Sequence, residues 1–169
     1  MLVDQRRQLL EQRGVIHQQP YLESTPRYKT GEPFADLGLD PASLEVLSCV
    51  TQAQGDLPLL IHDPPYEHQS LAAKLALVSG RSLVVMTGTG SGKTECFLLP
   101  ILGKLAREAH DTGQRFGTTP AVRAMVLYPM NALVNDQLGR LRLLFGDPRI
   151  VDRFTRWCGR PARFARYTS

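Results

Sequence analysis

The spacing of apolar positions changes character near residue 82. Before it, apolar residues recur at helical intervals between polar stretches. Residues 4–13 predict a short polar helix with Leu9 and Leu10 on one side, ended near Gly14. Pro20, Pro26, Gly31 and Pro33 then interrupt any regular element, so this stretch reads as an extended arm. Asp40-Pro41 is a helix start: an N-cap acceptor followed by the position at which a missing N–H costs least. Leu44, Leu47 and Val50 follow on one face up to Gly55. Asp63-Pro64-Pro65 predicts a second capped start, with Asp63 as the cap and a helix over 66–79 whose stripe is Leu71, Leu75 and Val78.

Beyond residue 82 the pattern reads strand, glycine-rich turn, helix, loop, strand, helix. Leu83-Val84-Val85-Met86 is an apolar, β-branched run of the kind buried inside a parallel sheet. Residues 95–109 predict a helix with Phe97, Leu98, Ile101, Leu102 and Leu105 turned inward, kinked or loosened at Pro100. A Gly/Thr-rich loop over 110–120 leads to a second strand at 121–128 and a helix over 131–145, which together make one right-handed βαβ unit. The last residues, Arg166-Tyr-Thr-Ser169, read as lying on another strand of the same sheet. The expected architecture is α/β: a P-loop parallel sheet flanked by helices, preceded by a helical and extended extension over 1–56, with the lobe itself over 57–169.

Composition fits one ordinary globular domain: 169 residues, 43% hydrophobic and 21% charged. No apolar stretch approaches the roughly 20 residues that cross a bilayer, and no secretory h-region follows the charged start. Cys49, Cys96 and Cys158 lack the paired spacing of zinc or redox sites, and the four histidines lack metal-type spacing, so the chain reads as cytoplasmic with no metal beyond one brought by a nucleotide. Charge is uneven: residues 138–169 hold eight arginines against Asp147 and Asp152. That cluster suits a phosphate backbone or serves as a solvated surface. Trp157, among these arginines, either stacks on a base or anchors the segment to the core.

The octet Thr87-Gly88-Thr89-Gly90-Ser91-Gly92-Lys93-Thr94 is the most informative stretch. A triphosphate is held at least cost by a loop whose backbone N–H groups turn inward, which favours residues without a Cβ, and by the positive end of the helix that follows. Lys93 is then placed to reach the β- and γ-phosphates, and the Thr94 hydroxyl to ligate Mg²⁺. With Glu95 opening the helix, residues 87–95 form the expected ATP site, and Lys93 and Thr94 are its candidate catalytic groups.

The octet resembles motif I of superfamily 2 helicases, in which the first position is commonly Ala, Gly or Thr. That resemblance implies a role for Gln69, 24 residues before Lys93 in Tyr66-Glu-His-Gln69: an upstream glutamine in these helicases recognises adenine, and a carboxamide pairs with N7 and N6 of that base in two hydrogen bonds. Tyr66 either stacks on the base or packs on the core. Tyr128-Pro-Met-Asn-Ala-Leu-Val-Asn-Asp-Gln137 is similar to motif Ia of Lhr-like and related DExH helicases, which touches the nucleic-acid backbone. Pro129, Ala132, Leu133, Asp136 and Gln137 match that motif and Met130 and Asn131 do not, Asn131 standing where a basic residue is usual; Pro129, Asn131 and Ala132 are the candidate contacts. The wider wording is similar to large DEAD/DEAH-box helicases of DISARM-type phage defence, over residues 60–145. The resemblance implies a RecA-like lobe, ATP and Mg²⁺ as cofactors, and nucleic acid as partner, DNA before RNA.

Hydrolysis in such a lobe needs a Walker B carboxylate pair and an arginine from a second lobe. The 169 residues contain no Asp-Glu dipeptide, and Leu59-Leu-Ile-His-Asp63 precedes the P-loop. The expectation is therefore the amino-terminal part of a helicase lobe, its sheet incomplete at the C-terminal end, with open edges to be covered by the rest of the helicase or by a partner chain. Alone, it is expected to bind ATP weakly and not to turn it over. Two readings from other classes stay open: a small P-loop kinase or GTPase-like enzyme, and a truncated product or adaptor that only binds.

Overall fold

A computed structural model describes residues 2–11, 27–88, 90–129 and 131–167. Its elements are seven α-helices, α1 (Leu2–Glu11), α2 (Pro41–Ser48), α3 (Glu67–Leu77), α4 (Glu95–Thr112), α5 (Gln114–Thr118), α6 (Asn131–Phe145) and α7 (Pro148–Cys158), with a 3₁₀ turn at Phe34–Asp36. The end of the first predicted helix and Pro20 and Pro26 of the arm lie outside the described residues.

Two of the three Asp-Pro pairs, Asp40-Pro41 and Asp147-Pro148, start a helix by the same chemistry. Asp40 accepts the N–H of Ser43 at 2.9 Å and Asp147 that of Arg149 at 2.9 Å, while Pro41 and Pro148 take the first helical position. The Asp147-Pro148 signal was not read from the sequence, which assigned no element to residues 148–158, where α7 forms. Its apolar stripe is Ile150, Phe154 and Cys158, one helical turn apart, and Gly159 in the left-handed region ends it.

The core is helical. α4 is its centre, with α2, α3, α5 and α7 packed against it. Phe34, Val46, Leu47, Leu99, Leu102, Ile150 and Phe154 are fully enclosed together. Residues 34–50, read from sequence within the amino-terminal extension, thus share one core with α3, α4 and α7. α4 runs unbroken through Pro100, which is buried within it. Trp157 packs edge-on to Phe154 with centroids 5.8 Å apart.

Two expectations need correction. The buried face of α3 is Gln69, Ser70, Ala72, Ala73, Ala76 and Leu77, not the Leu71/Leu75/Val78 stripe, of which Leu71 and Val78 are about half exposed. α3 lies close on α4, with Leu77 seated at Gly103: a Cβ there would stand 2.8 Å from a Leu77 methyl. Asp63 does not cap α3. Its Oδ1 accepts the Phe34 N–H at 3.0 Å, fastening the 3₁₀ turn, and α3 is capped instead by the Gln69 side chain accepting the Tyr66 N–H.

Among the described residues no strand ladder forms. The runs 83–86 and 121–128 carry neither helix nor turn, and backbone bridges occur singly, at Thr30 with Tyr66 and at Gln54 with Leu57. The parallel sheet expected from the sequence is therefore not among the described pairings. Parallel strands are stable when both faces are covered, and here one face is bare: Val84 and Met86 are each 89% exposed and Leu127 82%. No described helix is long and apolar enough to cross a membrane.

Candidate nucleotide site

Residues 90–95 form one wall of a cleft of about 610 Å³, whose other walls are Thr30, Leu60–His62, Pro64, Tyr66, Gln69, Leu99 and Arg140. The loop turns twice through the left-handed region, at Gly90 and Gly92, both with φ of +75°. At Gly92 space is also lacking: a Cβ there would lie 2.4 Å from Gln69 Nε2 and 3.0 Å from a Glu95 carboxylate oxygen. The helical hydrogen-bond series of α4 begins at Glu95 N–H donating to Gly92 O, which leaves the amides of Gly92, Lys93 and Thr94 ahead of the first helical bond, where an anion is favoured.

The loop is tied down from α3. Gln69, buried, donates from Nε2 to Gly92 O at 3.0 Å while its Oε1 accepts the Tyr66 N–H at 3.0 Å. Each end of this amide retains one further hydrogen-bonding position. His68 Nε2 lies 2.8 Å from Ser91 O, and the Ser91 hydroxyl, fully buried, lies 2.6 Å from that of Thr87. Lys93 Nζ donates to the carbonyls of Thr87 and Gly88, at 2.9 and 2.5 Å, so one ammonium proton remains for another acceptor. Thr94, half-buried, stands at the head of α4 with its backbone already helical. Glu95 is bound to Arg140 of α6 at 2.9 Å through one carboxylate oxygen; the other is buried with no hydrogen-bond partner. Burial pushes the Cys96 thiol up from its ordinary value, and the neighbouring Glu95 carboxylate adds to the shift. Of the predicted nucleotide residues, Thr89 lies outside the described ones.

Apart from Gln69 and Tyr66, sequence reasoning missed the residues from before the octet that build this cleft. The strap 27–33 lies along the start of α3: Gly31 N–H donates to Pro65 O and Glu67 N–H to Lys29 O, both at 2.8 Å. A Cβ at Gly31 would overlap Ser70 and the Glu67 backbone. The strap brings Tyr28 against Tyr66 and His68, with ring centroids 5.5 and 5.6 Å apart, and its hydroxyl against the backbone at Gly88. A glycine and two prolines around Tyr28 were the one available signal, and they indicated only irregular structure.

The second predicted contact, at the start of α6, stands apart from this cleft. Pro129 is exposed and Asn131 opens the helix; the side chains of Asn131 and Ala132 are outside the described ones. Of the arginine cluster, much is consumed internally. Arg149 is enclosed, paired with Asp147 at 2.8 Å and donating to Gln52 O and Pro58 O; the Asp147 carboxyl is held below its usual range by that guanidinium. Arg153 pairs with Glu45, Arg156 with Asp152, and Arg160 donates to Gly117 O. The picture of one solvated basic surface is corrected accordingly.

A glycine loop with a lysine folded across it, ahead of a helix and inside a cleft, defines a P-loop nucleotide-binding protein. Residues 66–160 match the DEAD/DEAH box helicase family, and the chain belongs to that family, which implies a RecA-like P-loop lobe. It is similar to "Druantia protein DruE" of Escherichia coli, 45% identical over 99% of this chain and 9% of the relative. It is also similar to "ATP-dependent RNA helicase dbp-9" of Neurospora crassa, 32% identical over 80% of this chain and 16% of the relative. A third relative, "Uncharacterized ATP-dependent helicase YprA" of Bacillus subtilis, is 35% identical over 55% of this chain and 11% of its own. The chain thus spans less than a fifth of each of these relatives. No solved structure matches it.

Proposed function

We propose that this chain is the ATP-binding portion of an ATP-dependent nucleic-acid helicase or translocase, carrying motif I, an adenine-reading glutamine and motif Ia. The observation that carries the proposal is the loop geometry: two left-handed glycines, amides ahead of the first helical bond, and Lys93 folded across the opening. A polyanion fits this arrangement better than any neutral ligand, because the loop offers N–H groups and an ammonium on one side of a cleft wide enough for a nucleotide.

In this reading the β- and γ-phosphates lie along residues 88–94, Lys93 gives them its remaining proton, and the Thr94 hydroxyl holds Mg²⁺, which supplies charge neutralisation to the phosphates. Gln69 reads the base with its spare amide hydrogen and lone pair while keeping its grip on Gly92. The start of α6 at Asn131 presents its amides to a phosphate of the nucleic acid, DNA in preference to RNA. The runs 83–86, 121–128 and 161–167 are the strands of the RecA-like sheet, and their bare apolar face is covered by the rest of the helicase or a partner chain. The 169 residues hold no Asp-Glu pair to orient the attacking water, so the chain binds ATP and does not turn it over.

Titration with a fluorescent ATP analogue and Mg²⁺ tests this. Binding is expected, with Lys93→Ala weakening it on the order of ten-fold, the effect of losing one hydrogen bond to a charged group. No binding at millimolar nucleotide, equal binding by the variant, or phosphate release stimulated by nucleic acid would each overturn the reading. GTP competing as well as ATP would argue against the glutamine's role.

A further inference from the structure

α4 and α6 face each other across a second cleft, of about 1070 Å³, lined by Leu98, Ile101 and Leu105 on one side and Val134, Leu138 and Leu141 on the other. Their side chains do not close it. Outside this cleft, at the wall of the first one, Glu95 of α4 and Arg140 of α6 pair at 2.9 Å. Among the described residues this is the polar contact joining the two helices. Its ends are unlike. Glu95 directly follows Thr94, packs beside Gly92 and buries its second carboxylate oxygen without a partner. Arg140 sits on α6 about half exposed, and lines the same cleft as Gly90–Thr94.

We infer that the Glu95–Arg140 pair is the positioning device that couples nucleotide occupancy to the setting of α6. The inference rests on the reading of residues 87–95 as an ATP site. A guanidinium beside a single carboxylate and within the same cleft as a polyphosphate seat is contested by two anions. When phosphates arrive, repulsion raises the energy of the Glu95 carboxylate and attraction draws Arg140 toward the loop. α6 carries Arg140 in its third turn, with Asn131 at its head, so a shift of the guanidinium moves the helix end that faces nucleic acid. The second Glu95 carboxylate oxygen, buried without a partner, leaves this end of the pair short of one hydrogen bond and so open to rearrangement. Coupling of this kind is reciprocal.

The test measures one ratio in the 169-residue chain: affinity for a fluorescent ATP analogue with and without a single-stranded oligonucleotide, DNA and RNA in separate arms. Wild type is expected to show a coupling of about two- to five-fold, the span measured for partly exposed ion pairs. Arg140→Gln and Glu95→Gln are each expected to bring the ratio to one, and the exchange Glu95→Arg with Arg140→Glu to restore part of it. A merely structural pair would lower melting temperature without changing the ratio, and full coupling in Arg140→Gln overturns the inference. So does a wild-type ratio of one with nucleotide bound. Absence of nucleotide binding in wild type removes the site reading itself, and is told apart from the other failures in the arm without oligonucleotide.

Discussion

The two halves of this chain treat apolar surface in opposite ways. Around α2, α4 and α7, Leu47, Leu102 and Phe154 are wholly enclosed. In the runs 83–86 and 121–128, residues of equal hydrophobicity stand in the open, with Val122 82% and Met125 74% exposed. Hydrophobic burial is what stabilises a domain of this size, so the helical half carries the fold. The nucleotide loop is moored to that half: its ties run to Gln69 and His68 on α3 and onward through α4. A face left open on the scale seen around Val84 and Met86 is a surface for covering, not a source of stability.

The contrast is broken most severely by Phe154→Ala, which empties the centre of the closed half and is expected to cost about 3–5 kcal/mol in urea unfolding. A loss under 1 kcal/mol would show that the core is elsewhere. Next comes the enclosed Asp147–Arg149 pair, which joins α7 to the 52–58 loop. Asp147→Asn should cost about 2 kcal/mol. Because the folded carboxyl lies below its ordinary value, the pair contributes fully above the usual Asp range, near pH 4, and its contribution falls as pH drops toward the folded value. Wild type should therefore lose stability more than the variant between pH 5 and pH 2, as followed by thermal melts. The smallest effect belongs to the open half: Val84→Thr with Met86→Gln should change stability by less than about 0.5 kcal/mol and reduce self-association in light scattering. A large destabilisation there would mean that the face is packed after all.

What could be read beforehand was whatever depends on neighbours in sequence. The octet at 87–94 announced its own loop, and Asp40-Pro41 its own helix, because caps and turns are local. Asp147-Pro148 offered the same signal but was read over, since the arginines around it suggested surface where Ile150, Phe154 and Cys158 mark a buried stripe. α3 misled for a different reason: the stripe of large residues looks like the inward face, yet the buried side carries Ala72, Ala73 and Ala76 with Leu77, which packs where Gly103 of α4 leaves room. The partners of Arg149 are carbonyls 97 and 91 residues away, and nothing in a linear reading brings them together. Gln69 was legible as a residue of the site, but its hold on Gly92 follows only from the packing of α3 beside the loop.

The strap at 27–33 has a practical corollary for anyone dissecting this helicase lobe. It lies ahead of residue 66, where the family match begins, yet Lys29 and Gly31 are stitched by their main chains to the very residues that open α3. Cutting at the conventional border would strip one wall from the nucleotide cleft and take Phe34, Val46 and Leu47 out of the interior. In this protein the packed unit starts well upstream of residue 66, where the family match begins.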